Sequence, residues 1–159
     1  TVLGMIALEE EDYERAYELG DDGLRLIGTH PLSDFPRGVR AAASVLLGGV
    51  EQAREFIRLK LTGGFYKPGD PLSIWDFDAV AIHAALLALA GHGERAVEWF
   101  GLASTCPFLP GSRYYPALRS QLQATLGADT YAAAFERGQT MPLADALRDL
   151  MAEEDLRNP

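Results

Sequence analysis

One phrase, heard three times, limits what this chain can fold into. "ALEEEDYERAYEL", "LLGGVEQAREFI" and "LAGHGERAVEWF" each pair an apolar run with a polar or glycine turn, an acidic residue, and an alanine shortly inside the next run. The alanines are Ala16, Ala53 and Ala96, which stand 37 and 43 residues apart. An alanine at that point lets two helices approach closely in a hairpin. A helix–turn–helix unit recurring at such an interval points to stacked helical repeats.

The glycines of the third phrase raise a rival reading, a phosphate-cradling loop. A Walker loop needs G-x-x-x-x-G-K-[ST] after a strand. No Lys, Ser or Thr directly follows Gly93, and the preceding segment reads as helix. The turn reading wins. Elsewhere strand signals are absent, because no β-branched run alternates and apolar residues recur at helical spacing.

Helices are expected over about 1–10, 13–27, 38–47, 50–61, 73–90 and 94–106, followed by three more. Leu118, Leu122 and Leu126 form one stripe before Gly127. Tyr131 and Phe135 mark a short helix ending at Gly138, and Pro142 opens the last, with Leu143, Leu147, Leu150 and Met151 on one face. Ser73 with Asp76 reads as a capping pair. The stretches "GTHPLSDFPRG" and "TGGFYKPGDP" are connectors. The expected fold is therefore all-α, one domain over 1–159, with hairpins at about 1–28, 36–62, 73–106 and 112–154. Because the chain opens at Thr1 in mid-pattern, it reads as a piece of a longer protein.

Charge narrows the function classes. A formal net charge of −9 argues against direct nucleic-acid binding, which needs clustered Lys and Arg. The longest apolar run, "AVAIHAALLALA", has twelve residues, too few for a membrane span of about 20. The single Cys106 excludes an internal disulfide and fits a reducing, cytoplasmic setting.

The hairpins resemble tetratricopeptide repeats, best over 77–110. There Val80, Ala84 and Leu87 match the first helix, and Ala96, Phe100 and Ala103 match the second, closed by Pro107 to Pro110. The first unit keeps Leu3, Gly4 and Ala16 but has Gly20 and Gly23 where aromatic and small residues are usual. The second keeps Ala41 and Ala53 but has Arg37 and Arg40 where apolar residues are usual. Over 73–150, "ERAVEWFGLAS" and "YPALRSQLQATLGADTYAAAFERGQTMPLADAL" resemble the C-terminal helical region of large bacterial ATP-binding transcriptional regulators of the LuxR type. That resemblance implies a right-handed superhelical solenoid in a cytoplasmic signalling protein, whose nucleotide-binding and DNA-binding domains lie outside this chain.

Few chemistry-bearing residues stand at the spacing that ligation or catalysis needs. Asp76, Asp78 and His83 share one expected helix, but His83 lies five residues from Asp78, off the i, i+3 or i, i+4 pairing of helix-borne ligands. Capping and a core histidine account for them without a metal. The acidic runs Glu9–Asp12 and Glu153–Asp155 read as solvated turns and ends. Cys106 lacks a neighbouring His in sequence, and His30 and His92 sit at turns. With no nucleophile, base and oxyanion donors paired, an all-helical hydrolase or lyase is disfavoured, and no cofactor is expected.

Aromatic residues in the connectors are the better candidates. Phe65, Tyr66, Trp75, Tyr114 and Tyr115, with Asp78, are expected to rim a groove, since rings with polar tips supply binding area at low entropic cost. Plugging the gap between hairpins is the alternative role for each ring. Asp78, Ala81, Ala85 and Leu89, with Met5, Leu8 and Glu9, would line the groove itself. The expected function is non-enzymatic binding of a protein segment or small effector, which biases packing against adjoining domains of a parent regulator. A small-molecule sensor is the alternative.

Overall fold

The computed structural model describes residues 2–28, 30–62, 76–106 and 115–156, and among these the chain is all-helical. The α-helices in order are α1 (Val2–Glu9), α2 (Tyr13–Ile27), α3 (Asp34–Leu46), α4 (Val50–Thr62), α5 (Asp76–Leu89), α6 (Gly93–Ala103), α7 (Pro116–Leu126), α8 (Ala128–Thr140) and α9 (Leu143–Leu156). Among the described residues no helix is long and apolar enough to cross a membrane.

The turns after α1, α3 and α5 share one chemistry. Glu11, Gly48 and Gly91 take φ of +61°, +84° and +85°. The next N–H then reaches back five residues: Asp12 to the Ala7 carbonyl at 2.9 Å, Gly49 to Ser44 at 2.7 Å, His92 to Leu87 at 2.9 Å. This Schellman-type bond satisfies a carbonyl that the ending helix leaves open. The following helix opens when Ala16, Ala53 and Ala96 donate to the carbonyls of Asp12, Gly49 and His92. All three alanines have 0% exposure. The recurring alanine is thus the point at which each second helix enters the core.

Both glycines of "GHGERAVEWF" have conformational or steric reasons. Gly91 supplies the positive φ of the turn. Gly93 opens α6, where a Cβ would come within 3.3 Å of a Leu122 methyl.

One start differs from expectation. Helix α3 begins at Asp34, four residues before Gly38, preceded by a 3₁₀ turn at Pro31–Ser33. Pro36 falls in the first turn of α3, where a backbone N–H has no intrahelical partner to lose. Helix α5 is described from Asp76, and Ser73 lies outside the described residues.

Glycine sets the closest helix crossings. Gly20 brings α2 onto α3, where a Cβ would meet the Pro36 carbonyl and the Arg40 backbone nitrogen at 2.9 Å. A Cβ on Gly101 would run into the Phe135 carbonyl, and one on Gly138 into the Glu98 carbonyl. Accordingly α6 packs more extensively on α8 than on any other helix. The seam carries charge as well: Glu98 accepts from Arg137 Nε at 2.8 Å and from Arg95 Nη1 at 2.8 Å.

Burial alone would push the Glu98 carboxyl up, but the hydrogen bonds and charges of Arg95 and Arg137 outweigh it and hold it below the usual glutamate range. A depressed folded value means a contribution fully present above the unfolded value, 4.5, and lost as pH falls through the lower folded one. The expected result is that Glu98→Gln is less stable at neutral pH, with the difference from wild type shrinking as pH falls below the ordinary glutamate value of 4.5. Urea midpoints from neutral pH down through that value check it. A constant difference would remove the ion pair as the cause.

Helix α5 corrects the expected groove. Ala81 and Ala85 have 0% exposure, and only Leu89, at the helix end, is open at 51%. Helices α3, α4, α6 and α7 all pack on α5, so it is a central element and not an open floor. In the first unit Leu8 is likewise buried, Met5 half-buried and Glu9 exposed. The outer face of α1 is instead apolar and open, at Val2, Leu3 and Ile6.

Candidate functional site

Phe65, Tyr66, Trp75 and Tyr114, expected at the groove rim, lie outside the described residues. Asp78 and Tyr115 are described, and the fold brings both into the interior, at 6% and 1% exposure. This corrects their expected place on a rim.

Tyr115 heads α7 in the left-handed region, with φ 58° and ψ 53°. Its hydroxyl donates to the Ala42 carbonyl of α3 at 2.9 Å, and its ring lies tilted 6.3 Å from that of Phe100. Burial first, then the neighbouring Tyr13 and Asp78, push the phenol well above its ordinary value, so it remains a fixed proton donor. The Asp78 carboxylate lies 3.0 Å from where a Cβ on Gly38 would stand. A Cβ there would require the carboxylate to give by a few tenths of an ångström. Both residues therefore join α5 and α7 to α3, the gap-plugging role.

The other chemistry candidates are placed as follows. His83 is buried with its ring edge-on to Trp99, centroids 4.6 Å apart. Cys106 is buried. Among the described residues no three His, Cys, Asp or Glu side chains gather as a metal set.

A stripe along α3 borders two surface clefts, with Arg37 and Arg40 half-buried, Ala41 and Ser44 buried at its base, and Leu47 exposed at its end. Arg37, Arg40, Ala41 and Ser44 follow at i, i+3, i+4 and i+7, one face of α3, and Leu47 and Gly48 carry the line into the turn after it. Tyr17 of α2 stands on one side of the stripe, and Gln52, Glu55, Phe56 and Leu59 of α4 on the other. Two clefts lie along it, of about 80 and about 310 Å³, and they share Gln52 as a lining residue.

The arginines are held but not used up. Arg40 Nη1 bonds Asp21 of α2 at 3.0 Å, and Arg37 Nη1 lies 3.6 Å from Asp34. Each guanidinium has five N–H donors in a planar fork suited to carboxylates. Glu55 pairs with Arg58 at 2.8 Å. Leu47 and Leu59 are 42% and 47% exposed, so the groove offers apolar contact beside cationic donors.

In the sequence, Arg37 and Arg40 stand out only as departures from the repeat pattern. That was the available signal: a charged residue in an apolar slot of a packed repeat must reach solvent or a partner. No protein-family model, curated protein or solved structure matches this chain.

Proposed function

We propose that the chain is a non-enzymatic, tetratricopeptide-like interaction module from a bacterial cytoplasmic regulator, similar in kind to the helical regions of LuxR-type transcriptional regulators. On this reading α1–α2, α3–α4 and α5–α6 are successive hairpins of a right-handed superhelical stack, and α7–α9 close its end. The module binds a partner segment and biases how adjoining domains of the parent protein pack. The larger cleft keeps a small effector within the reading, since its volume reaches the lower end of the ligand-pocket range.

The observation that carries the proposal is the turn shared by three helix pairs: a positive φ, a bond five residues back, and a fully buried alanine five residues on. Repeated units of this sort bury their apolar faces on one another and leave side-chain stripes for recognition.

A displayed library of random 14-residue peptides, panned on the immobilised chain, tests it. The expected result is a convergent peptide family with micromolar affinity for the folded chain and none for the urea-unfolded one. Failure to enrich any family would count against an interaction module that recognises segments.

A further inference from the structure

We infer that the groove over α3 takes an acidic peptide segment carrying one or two large apolar side chains, an inference that rests on the interaction-module reading and names its partner class.

Charge is the first support. Residues 34–62 hold five of the 14 basic side chains and only three of the 23 acidic ones. The charged residues that line the two clefts are Arg37, Arg40 and Glu55, a net +1 on a chain whose formal charge is −9. A carboxylate-bearing segment is repelled by most of the surface and drawn here, where it can compete for the forks of Arg37 and Arg40.

Shape is the second. The stripe runs from Arg37 to the end of α3 at Leu46, nine helical steps or about 14 Å, which matches about four extended residues or two to three helical turns of a ligand. Free phosphate or a lone carboxylic acid would meet the arginines but leave Tyr17, Leu47, Phe56 and Leu59 without use. A peptide reaches both ends. Gln52, lining both clefts, offers donors and an acceptor to its backbone.

The test uses the peptides recovered from the displayed library, synthesised with a fluorescent label and titrated against the whole chain. The winning family is expected to be enriched in Asp and Glu with interspersed Leu or Phe. Its affinity should fall at least fivefold between 50 and 500 mM salt, and Asn/Gln versions of the peptides should bind at least tenfold more weakly. Arg37→Glu should weaken binding at least tenfold and Leu59→Ser at least threefold. Leu26→Ser, which changes an exposed leucine of α2 outside the groove, should leave binding unchanged. Circular dichroism on each variant keeps folding separate from binding, and if Arg37→Glu misfolds, Leu59→Ser and Gln52→Ala decide.

A winning family that is neutral or basic, or one indifferent to these groove changes, overturns the acidic-segment inference while leaving the interaction module standing. If no family emerges, both fall. Inorganic phosphate competing away the peptide at micromolar concentration would also overturn it, assigning the groove to a small anion.

Discussion

Gly138→Ala is expected to destabilise the protein by about 3 kcal/mol, the upper end for overpacking. Helix propensity alone points the other way, favouring alanine by about 0.5–1 kcal/mol inside a helix. Packing wins because the new methyl would meet the Glu98 carbonyl, part of the α6 backbone that has no rotamer to yield. The two helices would have to separate along their whole seam, breaking the Arg137–Glu98 bond as they part. Gly93→Ala is the control: its obstacle is a Leu122 methyl at 3.3 Å, which can turn aside, so the change should stay within about 0.5 kcal/mol. Urea unfolding followed by circular dichroism measures both. Equal, small effects at the two sites would mean that α6 and α8 do not cross at this glycine pair.

Tyr115→Ala should cost about 3–5 kcal/mol, as removal of a fully buried aromatic does. Tyr115→Phe keeps the ring against Phe100 and removes only the hydroxyl that donates to Ala42. Its cost should be about 0.5–1.5 kcal/mol, the net worth of one hydrogen bond, since the Ala42 carbonyl lies within α3 and keeps a helical partner. The pair separates an interior role from a surface one. If Tyr115 stood at a binding rim, the alanine variant would keep its denaturation midpoint and lose only affinity.

Much of the helix order could be read from the residues, and the reason is local. The expected span of α2, about Tyr13 to Ile27, is the one observed, because Asp12 caps its start by accepting from the Arg15 N–H at 3.2 Å and Gly28 ends it. The start of α3 was missed because Pro, Ser and Gly crowd the connector, while only the first-turn position of Pro36 makes helix permissible there. Burial of α5 was half legible. "AVAIHAALLALA" has no polar face, and a helix apolar all round is covered all round, which an open groove floor contradicts.

Tyr115 and Asp78 could not be placed from sequence. Their partners, Ala42 and the space over Gly38, lie 73 and 40 residues away, and nothing in local spacing announces such meetings. The α3 stripe was hidden for a related reason. Arg37 and Arg40 look like errors in a repeat until Tyr17 and Phe56 are seen standing beside them.

Glu11, held at positive φ in the first turn, accepts the backbone N–H of Ala117 at 2.7 Å, across 106 residues of sequence. Together with the Tyr115 bond to Ala42 and the contact of α9 on α4, it ties the early helices to the late ones. A plain array of repeats melts from its ends inward, each unit weighed only against its neighbours. Here the first turn caps the seventh helix, so loosening α1 also uncaps α7. Loss of the first turn would therefore be felt at the head of α7, and not in its neighbouring helix alone.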